Sequence, residues 1–146
     1  MVSFFKLWKN HPGTGSYPCD RLDFPNQCAI RMGVALRESN IDLSSFSGVK
    51  CWHGHEPKRH ILRAQELANW ISENNEFGRK KVYKFKSIEE AFSFDKGIAF
   101  KTGIIFIQDG WTGGIDHIDL WFNFVMKAGD NSYLTLGKEI WFWNII

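Results

Sequence analysis

The sequence contains no apolar run approaching the ~20 residues of a membrane-spanning helix, so membrane insertion is not expected. Surplus charge is scarce as well. Lys and Arg total 18 against 16 Asp and Glu, a net charge of +2. The basic residues are scattered apart from Lys58-Arg59 and Arg79-Lys80-Lys81, which argues against a nucleic-acid partner. The opening Met1-Val2-Ser3-Phe4-Phe5-Lys6-Leu7-Trp8 has neither a basic n-region nor a small-residue cleavage site. We therefore expect synthesis in the cytoplasm without a Sec signal, and another exit route for any work outside it. Internal repeats and low-complexity segments are lacking. Cysteine is limited to Cys19, Cys28 and Cys51, an odd count that leaves either all thiols reduced or one free beside a pair.

What is abundant is aromatic: 7 Trp and 13 Phe within 146 residues, enough for one domain spanning 1–146 with a sizeable core. Helical spacing predicts a short helix over residues 3–10, a second from about Gln27 to Ser39, and a long one from about Lys58 to Asn74. Ser87 predicts a cap for a short helix over 88–94. Strands are expected at 81–85, 102–107, 115–124 and 139–145, with a turn over 108–114 and another over 129–131. Helices thus come first and an antiparallel sheet follows, an α+β arrangement.

Pro25 and Asn26 punctuate the chain just before Cys28, which falls in the first helical turn. Unpaired N–H groups and the positive end of the helix dipole stabilise an anion there, so a thiol is most readily ionised at such a position. A base is also at hand. In Gly113-Gly114-Ile115-Asp116-His117-Ile118-Asp119-Leu120-Trp121 a glycine turn precedes a strand whose alternation puts His117 and Asp119 on one face and Ile118 and Leu120 on the other. Residues two apart on a strand are expected to lie too far apart for an ideal hydrogen bond. Trp111 and Trp121 are candidates for a substrate groove wall and equally for core. Cys51, His53 and His55 invite a zinc reading, which the lack of a second cysteine pair argues against, so no metal and no cofactor are expected. With Cys28 reactive, Cys19 and Cys51 are the candidate disulfide pair.

Several blocks in order carry a family likeness: Phe4-Phe5-Lys6-Leu7-Trp8, Gln27-Cys28-Ala29-Ile30-Arg31-Met32, His60 through Trp70, Gly103-Ile104-Ile105-Phe106, and His117-Ile118-Asp119-Leu120-Trp121. Together they resemble the type VI secretion amidase effectors of the fourth family. The resemblance implies a papain-like, NlpC-type core, with the cysteine helix packed on an antiparallel sheet that bears the histidine. It implies Cys28 as nucleophile and His117 as base. The substrate implied is the D-glutamyl–diaminopimelate amide of peptidoglycan stem peptides. Type VI secretion machinery would deliver the enzyme into the periplasm of a target bacterium, and a cognate immunity protein would protect the producer. The family's third catalytic residue follows the histidine strand. Asp130 is the nearest match by distance along the chain, with Asp119 and Asn123 as alternatives.

On this reading the Cys28 thiolate attacks the amide carbon, and its own N–H plus a neighbouring donor hold the oxyanion. A cysteine hydrolase of proteins or isopeptides would use the same pair of residues. A non-catalytic interaction module would instead bury an inert thiol.

Overall fold

Five strands form a single sheet in the computed structural model, which describes residues 2–52, 55 and 58–146. They are β1 (Lys81–Tyr83), β2 (Gly103–Trp111), β3 (Ile115–Phe122), β4 (Val125–Met126) and β5 (Glu139–Asn144). Their order is β1-β5-β2-β3-β4, and every neighbouring pair is antiparallel. The helices are α1 (Phe4–Asn10), α2 (Cys28–Glu38), α3 (Ala64–Glu73) and a single turn, α4 (Ile88–Ala91).

Both faces of the sheet are covered, which explains why β2 and β5 read as continuous apolar runs rather than alternating ones. Ile104, Phe106, Trp141 and Trp143 pack with Leu7 of α1, Met32 and Leu36 of α2 and Leu67 and Ile71 of α3. Their neighbours Ile105, Ile107, Ile140 and Phe142 pack on the other side with Tyr83, Ala91, Ile98 and Leu134. Most of the aromatic surplus is spent here, and Trp121, Trp143, Phe4 and Phe106 are fully enclosed.

The expected long helix begins late. Residues 58–63 are not helical, because the chain around Ile61 pairs with Lys50 as an isolated antiparallel bridge. Cys51 N–H donates to the His60 carbonyl at 2.9 Å, and Leu62 N–H to the Val49 carbonyl at 3.2 Å. Local pairing thus overrides the helical spacing of Ile61 and Leu62. The 88–94 helix stops after Ala91. β2 runs on to Trp111 through a register shift between Ile107 and Trp111, so the expected turn shrinks to residues 112–114. β3 stops at Phe122, where Asn123 and Phe124 both take positive φ (52° and 68°) and close a two-residue hairpin into β4. The turn expected at 129–131 continues into a 3₁₀ helix over Asn131–Thr135.

β4 pairs with Trp121 and Phe122, so among the described residues β3 from Ile115 to His117 has no strand on that side. An open strand edge leaves carbonyls and N–H groups seeking partners. The start of α2 occupies that position.

Candidate active site

Cys28 is the first residue of α2 and is 5% exposed. The approach to it is tied down by side chains. Gln27 Nε2 donates to the carbonyls of Phe24 at 2.6 Å and Cys19 at 3.3 Å. Asn26 Oδ1 accepts the Cys28 N–H at 3.3 Å, so the first donor of the helix is engaged in the resting chain. The Cys28 thiol lies 3.7 Å from the Asp116 carbonyl on the open edge of β3, and Asn26 Nδ2 reaches the same oxygen at 3.5 Å.

That contact brings the thiol beside the next residue, His117, close enough to raise the affinity of its imidazole for a proton. His117 Nε2 lies 2.8 Å from Asp119 Oδ2. The nitrogen left to exchange a proton with sulfur is therefore Nδ1. The separation along β3 does not prevent the bond, because the long imidazole leans along the strand far enough to bridge ~6.6 Å of backbone. Burial of the imidazole works against its protonation. The hydrogen bonds to Asp119 and Cys28 and the charges of those two groups outweigh burial, and the pKa is pushed up to about 10.

Asp119 is fully buried yet well partnered. Its carboxylate accepts the N–H of Leu120 at 2.8 Å and that of Ala128 at 3.0 and 3.1 Å, besides bonding His117. Asp130 does something different. It is exposed, and its Oδ1 accepts the Ser132 N–H at 2.8 Å as the cap of the 3₁₀ helix, which holds its carboxyl below the usual range. Asn123 is spent in the left-handed hairpin turn. Among these three sequence candidates, the side chain bonded to the imidazole is Asp119.

Two further residues beside the pair carry no motif. His11, at the end of α1, places Nε2 3.8 Å from Asp119 Oδ1, while its Nδ1 accepts the Gly13 N–H at 3.0 Å. Burial pushes the His11 pKa down to about 4, against the attraction of Asp119, so this imidazole is neutral. Gly129 leaves room for the base: a Cβ there would lie 2.8 Å from His117 Nε2. Neither could be found by periodicity, because both act across long loops.

A groove of about 400 Å³ opens beside His117, lined by Pro25, Asn26, Trp111, Ile115, Asp116, His117 and Tyr133. A second lobe of about 400 Å³ shares Asn26, Ile115 and Asp116 and extends along Arg63, Gln65 and Glu66. Trp111 stands edge-on to Tyr133 at 4.7 Å, and Tyr133 to His117 at 5.1 Å. Trp121 is core, with its Nε1 donating to the Ile98 carbonyl at 2.8 Å.

Cys19 and Cys51 are both buried free thiols, not a disulfide. They stand beside His55 and His60, and the ligand atoms of these four residues all lie within 4.8 Å of one another. The set differs from the Cys51, His53, His55 combination read from sequence. His53 lies outside the described residues, and Cys19 and His60 come from elsewhere in the chain.

A family model described as "Type VI secretion system (T6SS), amidase effector protein 4" matches residues 24–143. Similar solved structures include the type VI effector Tae4 from Enterobacter cloacae, at TM-score 0.74 and 18% identity over 100% of this chain and 98% of that one. The Tae4-Tai4 effector-immunity complex from the same organism gives 0.73 at 18% identity, over 100% and 99% of the two chains. The corresponding complex from Salmonella Typhimurium gives 0.70 at 19% identity, again over 100% and 99%. Likeness at such identity speaks for the fold, which is NlpC/papain-like. No curated protein matches the chain significantly. With the family match running over the cysteine helix, the histidine strand and the groove between them, the chain belongs to the type VI secretion amidase effector 4 family.

Proposed function

We propose that residues 1–146 act as one cysteine-amidase domain that cleaves the D-glutamyl–diaminopimelate amide of peptidoglycan stem peptides. The observation that carries this is the succession of Cys28 beside His117 and His117 bonded to Asp119, with His117 lining an open groove. Proton transfer from the Cys28 thiol to His117 gives the sulfur nucleophile that attacks the amide carbon. The Cys28 N–H exchanges its long 3.3 Å bond with Asn26 for the developing oxyanion, and Asn26 Nδ2 is the neighbouring donor. His117 then passes its Nδ1 proton to the leaving amine, whose departure breaks the C–N bond. Water, deprotonated by the same nitrogen, releases the acyl group. Asp119 holds the imidazole in orientation throughout. Arg63 in the second lobe suits the carboxylates of the D-glutamyl and diaminopimelyl residues.

Family membership supports delivery by type VI secretion into the periplasm of a rival cell. The relatives solved as effector-immunity complexes support a cognate immunity protein as partner. No helix among the described residues is long and apolar enough to cross a membrane. The test is digestion of purified sacculi followed by mass spectrometry of the muropeptides. Wild type is expected to release fragments ending at D-glutamate, and Cys28→Ala none while keeping its circular dichroism. Fragments released by the Ala variant, or cleavage of denatured proteins with sacculi left intact, would overturn the proposal.

A further inference from the structure

Three segments far apart in sequence meet behind the cysteine helix. Cys19 comes from the loop leading to α2, while Cys51 and His60 stand at the two sides of the Lys50–Ile61 bridge, and His55 lies in the loop between them. The two histidines direct the same kind of atom inward. His55 Nδ1 lies 3.2 Å from Cys51 Sγ and 3.9 Å from Cys19 Sγ, and His60 Nδ1 lies 3.6 Å from Cys51 Sγ. All four ligand atoms fall within 4.8 Å of each other.

Zinc bound at the usual ~2.3 Å to sulfur and ~2.0–2.1 Å to nitrogen sets its tetrahedral ligand atoms about 3.4–3.8 Å apart. The three separations of 3.2, 3.6 and 3.9 Å bracket that range, and the remaining pairs, all within 4.8 Å, close onto a metal by about 1 Å at most. The spacing also fits, since His55 and His60 are separated by 4 residues, within the H-x₃₋₅-H interval of zinc sites. Both thiols are buried, at 4% and 0% exposure, against Ile30 of α2. Beside them, the His60 backbone N–H donates to Cys51 Sγ at 3.2 Å, an outer contact of the kind that orients a metal-bound sulfur.

We propose that Cys19, Cys51, His55 and His60 form a structural zinc site. Two sulfurs and two nitrogens complete the tetrahedron, so no position remains for substrate or water, and the metal takes no part in hydrolysis. On binding, the two thiol protons leave to solvent, two thiolates balance the charge of Zn²⁺, and both imidazoles coordinate neutral through Nδ1. The metal clamps the Lys50–Ile61 bridge to the loop before Cys28. That loop is bonded onward, because the Cys19 carbonyl accepts from Gln27, the residue just before the cysteine helix.

The test uses the full chain produced in a reducing cytosol. Metal analysis after gel filtration is expected to find one zinc per chain, and Cys28→Ala is expected to keep it. Growth with cobalt in place of zinc is expected to give a protein with thiolate-to-cobalt charge-transfer absorption and the intense visible bands of a tetrahedral centre. This arm needs no substitution, so it stands even where a variant misfolds. Cys19→Ser and His60→Gln are expected to lose the metal or weaken it at least tenfold in competition with a chelator. Metal-free wild type, a Cys19–Cys51 disulfide detected by mass, an octahedral cobalt spectrum, or loss of zinc in Cys28→Ala would each overturn the proposal.

Discussion

Asp119 Oδ2 and His117 Nε2 lie 2.8 Å apart on one strand, while the Ala128 N–H closes over the same carboxylate from the following loop. The carboxylate is thus fixed before it fixes the imidazole, and two predictions separate it from its rival Asp130. Asp119→Asn is expected to lower kcat/KM by about 10²-fold or more, because the neutral amide no longer stabilises the protonated ring. Asp130→Asn is expected to leave hydrolysis within about twofold, since that side chain caps only the turn at Ser132. Steady-state hydrolysis of a stem-peptide substrate decides between them. The reverse pattern would return the role to Asp130.

The same pairing sets the pH dependence. In the proposed mechanism His117 must carry a proton for the leaving amine, so the alkaline limb of kcat/KM is expected near the imidazole pKa of about 10. In Asp119→Asn that limb should move down toward the ordinary 6.5, because the strongest partner of the charged ring is gone. A limb that stays in place would deny the contact its electrostatic role.

His11 predicts a pH effect on stability rather than rate. Its pKa falls from 6.5 to about 4 on folding, so between those values the unfolded chain binds more protons. Stability from this group is therefore complete above pH ~6.5 and lost as pH falls toward 4, to the extent of roughly 3 kcal/mol. His117 has the opposite sign: its contribution is complete below pH ~6.5 and is lost as pH rises through about 10. It therefore adds no slope in the acid window. Urea unfolding at pH 7 and pH 4.5 should show the acid loss in wild type and a flatter response in His11→Gln.

Gly129→Ala should act on the base without touching a motif. The new Cβ, 2.8 Å from His117 Nε2 and 2.9 Å from Met126 Sδ, must push the ring or its neighbour aside. A displaced base is expected to lower kcat about tenfold or more with KM little changed, at a stability cost of about 1–3 kcal/mol. Unaltered kcat would mean that the ring has freedom to spare.

Trp111→Ala should read the other way. The indole lines the groove beside Tyr133 and stands edge-on to the His117 ring at 6.4 Å, so its loss is expected to raise KM about threefold to tenfold with a smaller effect on kcat.

By itself the sequence determined the α+β order, the position of Cys28 at a helix start and the strand that carries His117. Each of these depends on local periodicity and on Pro25, Asn26, Gly113 and Gly114 as punctuation. Tertiary structure decided the rest. The bond from His117 to Asp119 depends on how far an imidazole leans along β3, the neutrality of His11 on burial by distant elements, and the role of Gly129 on space that only the fold defines. Likewise Cys19 joins Cys51, His55 and His60 because Lys50 pairs with Ile61 where the spacing predicts a helix from about Lys58. Such long-range contacts have no period in the chain, and so they became visible only once the strands and loops had been brought together.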